Sequence, residues 1–400
     1  MKLTTEDIKR IVDENSDYAV KFLQEMIQIP SVTDHEQEIS RWMENWLKEN
    51  LNLPVKAYEA ERGRKSLVVD WHGEKEGKRF LFNGHLDVFP PNENDPGPYG
   101  PWSGKVVDGY LYGRGAADMK GGLAATIMAV DLLKKSGYVP ATGTVSLSCD
   151  IDEENGGEKG IKYMLEQGEC KADYGICAEP THGQVMVAGG CILQCDITYH
   201  APSFHTSFPR DFDDAVQKMH KAMAALYEYA DRMNKERYYE RLGNGPTLCI
   251  SLIKGGEVIN NIPTSCTISI DRRLVPDESI RQVEGEIIEI LEKLKSADPD
   301  MDYEYERTYY CPQYNMDVNH PIVKTALESY TKVTGRTNGT LVRHGGSDVH
   351  KLVEMYPDCC IPNYGPGNEP ECCMPDEKIN VQDYLDFIKV YMQMVVDMQG

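Results

Sequence analysis

The sequence predicts an α/β protein: a larger domain with a mostly parallel sheet, interrupted by a smaller inserted α+β domain of ferredoxin-like order. Three observations lead there. Up to about residue 187, apolar strand-like runs alternate with amphipathic helical stretches, the pattern of a largely parallel sheet. Between 188 and 311 the order becomes β-α-β-β-α-β. The α/β pattern then resumes with a helix at Pro321–Thr334. Residues 1–187 and 312–400 are therefore expected to form one domain, with 188–311 inserted into it. Four hundred residues suit two to three domains and bury a sizeable core without staples.

A first helical stretch is expected to stop at Pro30, because the residue before proline is driven out of the helical region. Thr33 and Glu36 read as a capping box opening a helix with Ile39, Trp42, Met43, Trp46 and Leu47 at core spacing. RFLFNGHLDV reads as a buried strand, followed by a Pro/Gly-rich loop, FPPNENDPGPYGPW. GGLAATIMAVDLLKKSG reads as a helix ended by Gly137. TVSLSCDID alternates as a strand does, and YGICA is a further short run before Glu179. In the insert, CILQCDITY, TLCISLI, TSCTISIDRRL and the stretch near Tyr303–Tyr309 read as strands. Helices are expected at about 213–233 and 278–295, the second with the stripe Ile280, Val283, Ile287, Leu291, Leu294.

Composition narrows the function classes. Lys and Arg number 42 against 64 Asp and Glu, a net charge of −22. So acidic a surface repels phosphate backbones and anionic lipid, which disfavours nucleic acid and membrane as partners. No run approaches the ~18 apolar residues of a spanning helix, and the opening MKLTTEDIKRIVDEN does not read as a secretory signal. The 12 cysteines are scattered, with adjacent pairs at 359–360 and 372–373. They suit reduced thiols in a cytoplasmic protein better than a disulfide scaffold.

The chemistry gathers at strand ends. His85 and Asp87 follow the first buried strand, and Asp118 lies in GRGAADMKGG. Asp152, Glu153 and Glu154 close another strand, and Glu179 closes the next. In open α/β sheets ligands bind outside the carboxyl ends of the strands. An imidazole with several carboxylates and no basic residue among them is a metal-binding set, and mixed N/O ligation suits zinc. Without a cation, carboxylates so close raise one another's pKa. Singly, each has a bland reading: an incidental His-x-Asp, a solvated acidic run, a helix N-cap at Asp118, a turn at Glu179-Pro180. Together and in order they are much stronger.

The ordered set GHLDV, GRGAADMKGG, DEENGG and AEPT closely resembles the co-catalytic zinc amidohydrolases. That family includes acetylornithine deacetylase, succinyl-diaminopimelate desuccinylase, aminoacylase and zinc glutamate carboxypeptidase, and the resemblance runs nearly end to end. It implies two Zn²⁺ per chain, with Co²⁺ or Mn²⁺ as substitutes, in a zinc-hydrolase domain carrying an inserted lid or dimerisation domain. It implies that His85 binds one zinc, Asp118 bridges both, Glu154 binds the second and Glu179 completes the first. Asp87 would orient His85, and Glu153 would be the general base.

In the insert, His205 in HTSFP resembles the family's lid histidine, which reaches across a homodimer. Asn260 in NNIP and Arg273 in DRRL match positions that hold the substrate's carboxylate or carbonyl, although Asp271 and Arg273 also read as a cross-strand ion pair. Ser347 in GGSD and Gly365 in GPG resemble substrate-binding loops.

One position departs from the family. Where it reads approximately His-x-Pro-x-Glu, with that histidine as the last zinc ligand, this chain has ECCMPDEK, placing Cys373 there. Thiolate is a good zinc ligand, so Cys373 is the expected fifth ligand and Cys372 the weaker candidate. The expected activity is hydrolysis of a C–N amide bond in an N-acyl amino acid, of deacetylase or desuccinylase type, or in a short peptide. The rival is a non-catalytic or single-metal binding protein on the same fold, motivated by Cys373 and opposed by the intact Glu153. A cysteine hydrolase built on Cys373 would leave the acidic cluster without a role.

Overall fold

A computed structural model describes residues 3–190 and 192–400. The chain runs α1 (Thr5–Glu14), α2 (Ser16–Gln28), α3 (Gln37–Leu51), β1 (Val55–Glu61), β2 (Arg64–His72), β3 (Lys75–His85), β4 (Lys105–Val107) and β5 (Tyr110–Tyr112). It continues through α4 (Lys120–Lys135), β6 (Thr142–Asp150), α5 (Ile161–Glu166), β7 (Tyr174–Cys177), β8 (Val185–Gly190), β9 (Ile192–His200), α6 (Ala215–Glu236), β10 (Thr247–Gly255) and β11 (Ser265–Arg273). Last come α7 (Ile280–Ala297), β12 (Tyr303–Cys311), β13 (Tyr314–Asn315), α8 (Pro321–Thr334), β14 (Thr340–His344), α9 (Asp348–Met355), β15 (Lys378–Asn380) and α10 (Val381–Gln399). Two compact units result. One holds residues 1–187, 316–341 and 347–400; the other holds 188–315 and 342–346. No helix among the described residues is long and apolar enough to cross a membrane.

The first unit is built on a five-stranded sheet of order β1-β2-β6-β3-β7. Its β6, β3 and β7 are parallel, whereas β1-β2 and β2-β6 pair antiparallel. The parallel part is the part the apolar runs announced, since such strands are buried on both faces. The hairpin β1–β2 has no counterpart in the sequence reading, because VKAYEAE is largely exposed and carries no apolar face. Helix α4 is buried along nearly its whole length, as a helix apolar all round must be, and α10 packs against it.

The start of α3 corrects the capping-box expectation. Glu36 is the N-cap residue, but it makes no side-chain cap bond. Its carboxylate is fully buried against Arg64, and Thr33 Oγ1 donates to Asp87 Oδ2 at 3.0 Å. A buried guanidinium is far more costly to leave unpaired than a helix N–H facing water.

The second unit is a four-stranded antiparallel sheet of order β10-β11-β9-β12 with α6 and α7 on one face, the ferredoxin-like arrangement. Alternate β9 residues Leu193, Cys195, Ile197 and Tyr199 meet Met219, Leu226 and Met233 of α6 and Val283, Ile287 and Leu291 of α7 in its core. β10 is an edge strand, and beside its exposed Leu252 and Ile253 lie exposed Val258 and Ile259.

Candidate active site

The first unit brings five of the expected residues into one cluster. β3 ends at His85, β6 ends three residues before Glu153, and β7 ends two before Glu179. Asp118 arrives from the loop that opens α4. Two glycines let the segments close up. A Cβ on Gly122 would sit 1.9 Å from the Ala178 carbonyl oxygen, and one on Gly365 would sit 2.5 Å from it. Gly365 therefore serves first as a close backbone contact beside Glu179, where it also donates its N–H to Thr181 Oγ1 at 3.1 Å. Ser347 is buried and donates to Asn363 Oδ1 at 3.1 Å.

His85 is fully buried, and its Nε2 has no hydrogen-bond partner among the described residues. Three carboxylates surround that nitrogen: Asp118 Oδ1 at 3.5 Å, Glu153 Oε2 at 3.7 Å and Glu179 Oε1 at 3.7 Å. Two ligand triplets follow, His85/Asp118/Glu154 and His85/Glu153/Glu179, each with atoms within 4.8 Å of one another. An orphaned buried nitrogen facing carboxylates is what a cation resolves, and the donor set fits zinc or another borderline divalent ion. Both triplets contain His85, so the geometry does not separate the two metal positions that the resemblance implies.

The electrostatics agree. Burial pushes Glu153 up to about 8, with Asp348, Asp118 and Asp87 adding to the shift and His85 opposing it. Burial and then Asp118 and Glu153 push Glu154 up to about 9. Glu179 is raised well above the carboxylate range, by burial first and Asp118 next. For His85, burial opposes protonation, but Asp118, Glu153, Asp87 and Glu179 overcome it and raise its pKa. Carboxylates this close oppose one another's ionisation, and a bound cation would relieve that repulsion.

Asp87 is placed differently from expectation. His85 Nδ1 lies 2.9 Å from the backbone carbonyl of Asp87 and 3.6 Å from its carboxylate. The carboxylate instead accepts the N–H groups of Glu153 and Glu154, each at 3.2 Å. It thus holds the short 3₁₀ turn that presents both glutamates.

Cys373 belongs to neither triplet. It is exposed, at φ +60°, and its carbonyl accepts from Arg114 Nη2 at 2.9 Å. The residue is open to solvent on one side only, and partial desolvation of its thiol, followed by Glu154 and Asp118, raises its pKa to about 12.

Sequence reasoning passed over several supports. Glu377, buried and paired with Arg114 Nη1 at 2.6 Å, accepts the N–H groups of Ala117 and Asp118 at 3.0 and 3.1 Å. It lies in the same CMPDE segment as Cys373, which was the available signal. Buried Lys120 donates to the Met26 and Ile29 carbonyls at 3.0 and 2.9 Å, and burial lowers its pKa to about 7. Asp150, beside Asp348, accepts from Asn83 and from Ser148 Oγ, the latter at 2.6 Å.

In the second unit, the HTSFP and NNIP segments lie together. His205 bridges Asn261, and Thr206 N–H donates to the Asn260 carbonyl at 3.1 Å. His205 is exposed, with Nδ1 2.8 Å from Ser207 Oγ. Arg273 does pair with Asp271, Nε to Oδ1 at 2.7 Å, but within one strand rather than across two, since both residues stand on β11, two positions apart on the same face.

A buried imidazole ringed by carboxylates at the ends of parallel strands is a candidate centre for metal-dependent hydrolysis. The comparisons agree: residues 81–397 match the model of Peptidase family M20/M25/M40, and the chain belongs to that family. It is 24% identical over 416 residues to N-formyl-4-amino-5-aminomethyl-2-methylpyrimidine deformylase of Bacillus subtilis (strain 168), spanning 97% of this chain and 96% of that protein. Its fold matches that of an M20 family metallo-carboxypeptidase from Sulfolobus solfataricus. There the TM-score is 0.76 at 17% identity, over 94% of this chain and 98% of that one. It also matches a Bacillus subtilis protein described as a dinuclear metal binding peptidase of the M20 family. That TM-score is 0.71 at 15% identity, over 97% and 99% of the two chains.

Proposed function

We propose that the protein hydrolyses the C–N amide bond of an N-acyl amino acid or a short peptide. The single observation that carries this is the partnerless His85 Nε2 enclosed by Asp118, Glu153 and Glu179. Two Zn²⁺, or Co²⁺ or Mn²⁺ in their place, would be held by His85, Asp118, Glu154, Glu179 and Cys373. When bound, such ions lower the pKa of a coordinated water and polarise the scissile carbonyl. Glu153, on the turn gripped by Asp87, takes the proton of the attacking water and passes it to the leaving nitrogen. Arg273 and Asn260 are the proposed holders of the substrate's carboxylate or carbonyl, and Ser347 and Gly365 lie in the proposed substrate-binding loops of the catalytic domain. The names of the two relatives, a formyl-amide hydrolase and a carboxypeptidase, support an amide beside a small acyl or a free carboxylate.

A panel of N-acetyl and N-succinyl amino acids and dipeptides, assayed with added zinc, cobalt or manganese, tests the reading. Turnover of one class is expected. Hydrolysis of none by fully metallated protein overturns it.

Two further expectations follow. Cys373→Ala should lose about one metal equivalent per chain in elemental analysis, with activity falling alongside. Unchanged occupancy would remove Cys373 from the ligand set. The exposed apolar residues beside edge strand β10 support a homodimer in which His205 serves the partner's site, since open edges are pairing templates. A charged substitution at Leu252 that gives a folded monomer should then abolish most turnover, as should His205→Ala. A fully active monomer, verified by light scattering, would take His205 out of the mechanism.

A further inference from the structure

We propose that Arg64 is a positioning residue for Glu153 and Glu154, acting through Asp152 to fix the turn that presents both carboxylates. The proposal rests on the reading of Glu153 as the base and extends it to a residue outside the metal cluster. Arg64 opens β2, and its side chain is 1% exposed. Its Nε and Nη2 form a fork on Glu36, at 2.6 and 2.7 Å. Nη2 also reaches Asp152 Oδ1 at 3.1 Å, and Nη1 reaches Glu61 Oε2 and Asp34 Oδ1, both at 2.8 Å.

A buried guanidinium needs partners, but the fork on fully buried Glu36 already supplies one complete carboxylate. The second buried partner, Asp152, is what needs explaining. Asp152 stands one residue before Glu153 at φ +68°, a left-handed conformation uncommon for a residue with a side chain. Its other carboxylate oxygen accepts Lys159 N–H at 2.9 Å, and its carbonyl accepts Asn155 and Gly157 N–H at 3.2 and 2.7 Å. One aspartate thus ties both ends of the 152–159 turn, and Arg64 ties that aspartate to the sheet. Asp87 grips the same turn from the other side through the Glu153 and Glu154 N–H groups. The two glutamates are therefore aimed by backbone held at two points, one of which is Arg64.

Catalytic geometry tolerates little displacement: about 1 Å of misplacement can cost a hundredfold in rate. The decisive variant is Asp152→Asn, because Asn tolerates φ > 0 and keeps the side chain's shape while losing the charge Arg64 grips. The full-length protein, assayed on whichever amide the substrate panel identifies, should lose at least about tenfold in kcat with KM little changed. Hydrogen exchange at residues 153–157 should rise, and Co²⁺ affinity should fall. Arg64→Lys should show the same loss, since an ammonium cannot form the fork. The combined Arg64→Met/Glu36→Met/Asp152→Asn change, which removes the buried charges as a unit, should fold and match it.

A kcat within twofold of wild type in folded Asp152→Asn overturns the proposal and leaves Arg64 a structural clamp. If the wild-type protein hydrolyses nothing in the panel, the functional reading fails separately. Exchange and Co²⁺ titration then decide: unchanged turn protection together with unchanged affinity overturns the positioning role.

Discussion

Glu153→Gln is expected to lower kcat by about 10²–10⁴-fold, the usual contribution of a positioned general base, while the protein keeps its fold. Glutamine has the same shape, so packing beside His85 is retained and only the proton acceptor is lost. The variant also distinguishes two roles the geometry brings close together, because Glu153 falls within the His85/Glu153/Glu179 triplet. A base can be lost without losing metal, whereas a ligand cannot. Full metal content with kcat down at least a hundredfold identifies the base. Loss of about one equivalent per chain, measured by elemental analysis, would make Glu153 a ligand instead.

Metal removal should make stability strongly pH-dependent. In metal-free protein the folded pKa values of Glu153 and Glu154 are raised to about 8 and about 9, whereas the unfolded chain titrates near 4.5. Below about pH 4.5 both groups are protonated in both states, and their contribution to stability is fully present. As pH rises, the unfolded chain ionises first, so this contribution falls away until about pH 9. A divalent cation prefers the ionised cluster, and its binding strengthens over the same window. At about a thousand times its Kd it adds roughly 4 kcal/mol, several degrees in melting temperature. Melting with chelator and with saturating Zn²⁺ should therefore diverge between pH 6 and 9. A gap independent of pH would mean that the cation sits elsewhere.

The carboxylate–imidazole cluster was legible because most of its members follow apolar runs. A strand buried on both faces shows as an uninterrupted apolar stretch, and the chemistry begins where that stretch stops: His85 after RFLFNG, Glu179 after YGICA. What supports the cluster was not legible. Glu36 satisfies a local capping pattern, but its partner lies 28 residues away on a hairpin with no apolar alternation. The family resemblance gave Asp87 the role of orienting His85, yet the chain turns so that its carboxylate accepts the Glu153 and Glu154 N–H groups, while its backbone carbonyl lies nearest the His85 ring. Glu377 acts on a backbone 259 residues away. Such roles are set by tertiary approach, which periodicity does not encode.

The discontinuous first unit also has a consequence for synthesis. The second unit's core is drawn from residues 193–301, a continuous stretch, so it is complete soon after that stretch leaves the ribosome. The first unit must wait. Helix α10, which packs on α1, α4 and α8, emerges after everything it holds, and its Gln399 side chain reaches back to the Lys78 carbonyl and the Tyr174 hydroxyl. Glu377, which secures Asp118, comes barely earlier. A nascent chain therefore carries His85, Asp118, Glu153, Glu154 and Glu179 long before it carries the glutamate and the helix that hold their surroundings in place.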